Sequence, residues 1–168
     1  MIQQEETRSQ AAVSESTMTR VGEGMNFINT RHVYSESWKL NGQYNIVATP
    51  NAYQDGYITY PFPFQIIDVM FFNGEVVGSG GDTELDILWR PDNSLVWNSI
   101  FTQTPQADST SSPYDSIRIG QTKTGLTAPV LFKSTFAAYD VLRCDLLTAM
   151  TGQPQNAELK IWIRPIST

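Results

Sequence analysis

Gln65-Ile-Ile-Asp-Val-Met-Phe-Phe72, Asn73-Gly-Glu-Val-Val-Gly-Ser-Gly-Gly81 and Asp82-Thr-Glu-Leu-Asp-Ile-Leu-Trp-Arg90 form one continuous stretch of the chain. Its outer thirds alternate apolar and polar residues with a period of two. That is the repeat of a strand, whose successive side chains point to opposite faces. Asp82, Glu84 and Asp86 fall on one face of the second strand; Leu85, Ile87 and Trp89 fall on the other. The segment Gly78-Ser-Gly-Gly81 reads as a hairpin tip between the two strands. The pattern predicts a sheet with one dry face and an acidic row that is solvated or lines the rim of an interface.

The same signature recurs on both sides. Val33 to Leu40 alternates, Asn41-Gly42 is a two-residue hairpin signal, and Gln43 to Ala48 reads as the returning strand. Pro50 to Gly56 reads as a loop. Tyr57 to Tyr60 reads as a short strand before Pro61 and Pro63, which lack the N–H a central strand needs and so place it at an edge or crossover. Leu95 to Thr102 is a strand, Thr104 to Asp115 a polar surface loop, and Asp115 to Ile119 a short strand or turn. Gly120 to Pro129 is polar again. Val130 to Phe136 and Asp140 to Leu147 are strands, with a single helical turn expected at Leu146 to Met150. In Ala157-Glu-Leu-Lys-Ile-Trp-Ile-Arg164, Leu159, Ile161 and Ile163 share one face, and Lys160, Trp162 and Arg164 the other. Eight to ten short strands with no long helix predict a sandwich or barrel and disfavour an α/β enzyme fold.

Residues 1–31 differ from the rest. Gln3 to Gly24 is rich in Gln, Glu, Ser and Thr, and its composition cannot bury enough apolar surface to offset the entropy of ordering. The segment reads as an extended N-terminal arm, and residues 32–168 as the β-sandwich domain. Met18, Val21, Met25, Phe27 and Ile28 are the arm's apolar spots and its candidate contacts with a protein partner.

Charge and composition narrow the function. The chain has 168 residues, 17% of them charged, and a net charge of −6. Its Lys and Arg residues are scattered, with no basic patch to displace counterions from phosphates, so nucleic acid is not an expected partner. A single cysteine, Cys144, cannot form an intrachain disulfide. No apolar run approaches the roughly 20 residues of a bilayer span. The sequence Met1-Ile-Gln-Gln-Glu-Glu lacks the basic and apolar regions of a signal peptide, so synthesis in a cytoplasm without export by that route is expected.

Catalytic chemistry finds few handles. His32 is the only histidine, so any nucleophile–histidine site would depend on it. Cys144 alternates with Leu142 and Leu146, which marks it as a small core residue, while Arg143 points the other way. Two Cys or His residues are too few for a zinc site. Asp82, Glu84 and Asp86 supply oxygen ligands, but a wet face accounts for them better than calcium. Asp68 and Asp86 face outward on what read as neighbouring strands, a weak match to a glycosidase pair. No cofactor, metal site or enzymatic activity is expected. Among the aromatics, Trp162 and Tyr57 or Tyr60 are expected to face outward.

Several stretches resemble a group of phage structural proteins: Ile67-Asp-Val-Met-Phe-Phe, the glycine-rich tip before Asp82-Thr-Glu-Leu-Asp-Ile, Ser99-Ile-Phe-Thr-Gln-Thr-Pro105, Ala138-Tyr-Asp-Val-Leu-Arg-Cys-Asp-Leu-Leu, and Glu158-Leu-Lys-Ile-Trp-Ile-Arg-Pro. The pattern is similar to the antiparallel jelly-roll β-sandwich of tailed-bacteriophage head decoration (cement) proteins, head fibres and tail-fibre tips. It covers roughly 100 residues and carries no catalytic motif. It departs at Ala138-Tyr139-Asp140, where related chains often place a glycine before the aspartate. The resemblance implies a virion component on the capsid surface, a homotrimer bound to the major capsid protein, with residues 1–31 clamping neighbouring subunits. The alternative it implies is a receptor- or glycan-binding fibre tip, with loops 50–62 and 104–129 touching sugar.

Overall fold

The computed structural model describes residues 18–21, 26–29, 33–40, 51–52, 56–75, 77–152 and 155–166. Among them are sixteen strands and no helix: β1 (Met18–Val21), β2 (Asn26–Asn29), β3 (Tyr34–Lys39), β4 (Asn51–Ala52), β5 (Ile58–Thr59), β6 (Phe64–Phe72), β7 (Asp82–Arg90), β8 (Asn98–Ser99), β9 (Phe101–Gln103), β10 (Gln106–Asp108), β11 (Ser116–Arg118), β12 (Leu126–Thr127), β13 (Val130–Leu131), β14 (Thr135–Phe136), β15 (Val141–Thr148) and β16 (Glu158–Pro165).

One sheet runs β11-β6-β16-β3, with β14 also on β6. The other runs β12-β10-β7-β15-β4, with β5 on β15 and β8 on β7. All pairings among the described residues of these sheets are antiparallel. The first sandwich strand, β3, lies beside the last, β16, and β15 lies beside β7 although more than 50 residues separate them in the chain. These long returns wrap the chain as Greek keys, and the result is an all-β, antiparallel jelly-roll sandwich.

The alternation in the sequence sets which side chains fill the space between the sheets. Trp38, Phe64, Val69, Phe71, Ile117, Leu159, Ile161 and Ile163 come from one sheet, and Leu85, Ile87, Leu142, Cys144 and Leu146 from the other; all are buried. Phe64 and Phe136 stack with ring centroids 5.0 Å apart, and Tyr60 meets Phe64 edge-on at 5.1 Å. Such aromatic pairs add about 0.5–1.5 kcal/mol beyond area burial. Trp38 is fully enclosed, and its indole Nε1 donates to the Gly56 carbonyl at 3.1 Å. Tyr60 belongs to the core edge and not to the outer surface: its hydroxyl donates to Glu36 Oε1 at 2.8 Å. Burial raises its pKa, and the Glu36 contact raises it further.

The segment between β6 and β7 is not a hairpin tip. The two strands sit in different sheets and do not pair. Residues 73–81 cross from one sheet to the other, and their glycines permit close backbone approach. A Cβ on Gly74 (φ +89°) would lie 2.0 Å from the Gln155 carbonyl oxygen, and one on Gly78 would lie 2.3 Å from Met150 Cβ. The crossover is fastened by Glu75 N donating to Gln155 O at 3.1 Å and Ser79 N to Thr151 O at 2.7 Å.

Other boundaries differ from expectation for related reasons. Asn51–Ala52 pairs with β15 where a loop was expected, and Gln106–Asp108 pairs with β7 inside the expected loop 104–115. The strands expected over 95–102 and 130–136 each break into shorter pieces. Residues 146–148 continue β15 in place of the expected helical turn. The Asn41-Gly42 turn and the strand expected over 43–48 lie outside the described residues. At the Ala138-Tyr139-Asp140 departure, Tyr139 adopts φ +66°. It stands in the left-handed conformation that glycine enters most easily. The turn closes nonetheless: Tyr139 N donates to Tyr60 O at 2.7 Å, and Ala137 N to Asp140 Oδ2 at 3.0 Å.

Candidate functional site

The acidic row of β7 behaves differently from a solvated face. Asp82 is exposed and Glu84 is half-buried, accepting a hydrogen bond from Thr104 Oγ1. Asp86 is only 5% exposed. Its neighbour is not Asp68, which sits on β6 in the other sheet; the two carboxylates lie on opposite outer faces of the sandwich. Directly across from Asp86 on β15 is Asp145, 4% exposed. A second layer of side chains accounts for the burial. Ser99 Oγ donates to Asp86 Oδ1 at 2.7 Å, and Arg143 Nη2 donates to Asp145 Oδ2 at 2.9 Å. The Arg143 guanidinium lies 4.3 Å from the Trp97 ring, which stacks on Tyr57 at 5.9 Å. Tyr57 faces outward, as expected.

Arg143 is the guanidinium paired with Asp145, and Arg90 lies 5.2 Å from the same Trp97 ring. Asp145 Oδ1 and Arg143 Nε have no hydrogen-bond partner. Burial pushes the Asp86 carboxyl up to about 6; the Ser99 hydrogen bond opposes the rise, and the Asp145 charge adds to it. Burial likewise raises Asp145, against the charge and hydrogen bond of Arg143. A neighbouring like charge favours the neutral form of Asp86, as burial does. Both carboxyls are nearly closed to solvent, which favours the neutral form of each relative to a solvated carboxyl. No group of three Cys, His, Asp or Glu residues suited to a metal ion occurs among the described residues.

The outer face of the other sheet carries half-buried side chains. Cross-strand neighbours run Arg118–Met70–Lys160 in one row, with Asp68–Trp162 in the next. Trp162 faces outward, as its alternation requires. The Arg118 guanidinium lies 4.6 Å over its ring, and Arg118 Nη1 pairs with Asp68 Oδ2 at 3.0 Å. Lys160 Nζ approaches the same ring at 5.2 Å. Beside this row, Lys123 Nζ pairs with Asp115 Oδ1 at 2.5 Å.

The arm's candidate contacts fall in part on a hairpin that the sequence reading did not anticipate. β1 and β2 pair in the register Met18↔Asn29, Thr19↔Ile28, Arg20↔Phe27 and Val21↔Asn26. Met18, Val21, Phe27 and Ile28 thus occupy strand positions; Met25 and His32 lie outside the described residues. Among the described residues the hairpin pairs with no strand of either sandwich sheet. Cys144 is 1% exposed, and burial pushes its thiol pKa up, with Asp145 and Asp86 adding to the rise. It is a core residue and not a nucleophile.

No protein-family model and no curated protein matches the chain. Among solved structures, a chain in the capsid of Ralstonia phage GP4 aligns over 92% of this chain and 95% of its own, at 9% identity and a TM-score of 0.49. A chain of Desmodium yellow mottle tymovirus aligns over 89% of this chain and 96% of its own, at 11% identity and a TM-score of 0.34.

Proposed function

We propose that this chain is a virion structural protein: a capsid decoration, or cement, protein that binds the outer head shell and stabilises it through residues 1–31. The observation that carries the reading is the β1–β2 hairpin, which among the described residues forms a two-stranded sheet separate from the two sandwich sheets. An isolated two-stranded hairpin is marginal in water and gains stability by packing against something else. Its edges also offer a template for strand addition by a neighbour.

In this reading the sandwich is the rigid body on the shell, and Met18, Val21, Met25, Phe27 and Ile28 contact the major capsid protein. A homotrimer multiplies the attachment, since three weak arms on one body bind with high effective concentration. The protein works by contact, without catalysis, cofactor, nucleic acid or membrane. The sequence-level resemblance to phage head proteins points the same way, and synthesis takes place in the host cytoplasm. Heads lacking the protein provide the test. The full chain should co-sediment with them, and a chain lacking residues 1–31 should stay in the supernatant while melting like the full chain. Undiminished binding of the shortened chain refutes the arm; absence of binding by either refutes the capsid role.

A further inference from the structure

The outer face of the five-stranded sheet carries a cleft outside the core. It encloses about 600 Å³ and is lined by Met70, Ser116, Arg118, Gln121, Thr122 and Lys123. Sites for small molecules commonly span about 300–1,000 Å³. Only Met70 is apolar, so the lining does not suit a hydrophobic ligand or an apolar protein surface. Two cations line the cleft, and no carboxylate among the described residues does. Each cation is ion-paired with an aspartate outside the lining, so the cleft is charge-balanced and offers N–H donors whose acids face away from it.

The donors are held before any ligand arrives. Arg118 is fixed by the Trp162 ring at 4.6 Å and Asp68 at 3.0 Å, and Lys123 by Asp115 at 2.5 Å; each acid stands outside the lining. The turn between them is closed twice: Arg118 N donates to Gln121 Oε1 at 2.9 Å, and Gln121 N donates to Arg118 O at 3.1 Å. With Oε1 engaged, the Gln121 amide presents its Nε2 donor. Pre-positioned donors reduce the ordering cost of binding. A planar guanidinium suits a carboxylate, hydroxyl and amide groups suit a polyol, and a thioether floor suits the C–H face of a sugar ring.

We propose that this cleft binds an acidic saccharide, with a sugar-borne carboxylate between Arg118 and Lys123, hydroxyls on Ser116, Gln121 and Thr122, and the ring over Met70. The proposal rests neither on the arm nor on the virion reading. Isothermal titration of the full chain tests it with three probes: trigalacturonate, neutral maltotriose and ringless tricarballylate. Trigalacturonate should bind at least tenfold more tightly than either of the others, and 0.5 M NaCl should weaken it several-fold. Arg118→Gln and Lys123→Gln should each weaken it tenfold or more. If Arg118→Gln lowers the melting temperature, Lys123→Gln on the exposed rim decides. No binding of trigalacturonate, or unchanged binding by Lys123→Gln, overturns the site. Equal binding of tricarballylate reduces it to an anion site and overturns the saccharide; equal binding of maltotriose overturns the role of charge.

Discussion

Replacing Asp86 by Asn should stabilise this protein, and the gain should grow with pH. In the folded state burial lifts the Asp86 carboxyl from an ordinary 3.8 to about 6. The native state therefore holds its proton more tightly than the unfolded chain does. A raised carboxyl pKa makes stability fall as pH rises, from the unfolded value up through the folded one. Between about pH 4 and pH 6 the slope from this group is about −1.4 kcal/mol per pH unit, and above pH 7 its full cost persists. The rise of about two pH units sets an upper bound of about 3 kcal/mol; allowing for partial hydration at the sheet surface, ~1–2 kcal/mol is expected. In Asp86→Asn the new side-chain amide keeps an oxygen to accept from Ser99 Oγ, and its NH2 group can donate to the unpartnered Asp145 Oδ1. Urea denaturation of both proteins from pH 4 to pH 8 reads the effect, with the neighbouring Asp145 responding to the lost charge in the same direction. The two curves should nearly coincide at pH 4 and separate by ~1–2 kcal/mol at pH 8. A constant offset, or a variant less stable than the wild type at pH 8, refutes the buried-carboxyl argument.

Three further outcomes follow from the packing. Tyr139→Gly relieves a left-handed φ of +66° at a 54% exposed side chain, and should raise the urea midpoint by the equivalent of about 1 kcal/mol. Gly78→Ala places a Cβ 2.3 Å from that of Met150 and should cost about 2–3 kcal/mol, read as a melting temperature lower by several degrees. Cys144 should resist a thiol-specific reagent in the native protein and react fully in urea; rapid native labelling would contradict its burial.

Faces were legible in the sequence; partners were not. Period-two alternation places Leu85 and Ile87 inward and Asp86 outward, and it places Trp162 outward on β16, because the pleat alone decides these directions. It does not say which strand lies alongside. The burial of Asp86 depends on Asp145, far along the chain, and on Ser99 and Arg143, none of which its own strand announces. The glycines at 74 and 78 signal a backbone that must come close to something, and a hairpin and a sheet-to-sheet crossover use that freedom equally well. Tyr139 is the informative exception. The missing glycine before Asp140 marks the position where the structure takes a left-handed turn. The cleft beside Met70 was hidden for the same reason as the carboxyl pair: its lining comes from β6, β11 and the turn after it, and only their three-dimensional register brings these residues together.

Cryo-electron microscopy of heads assembled with the full chain, compared with heads assembled with a chain lacking residues 1–31, tests the central claim most directly. The account predicts jelly-roll density on the outside of the shell, with the first 31 residues reaching across neighbouring capsid subunits, and bare shells when they are deleted. Density confined to a fibre tip, or full occupancy of the shell by the shortened chain, would contradict it.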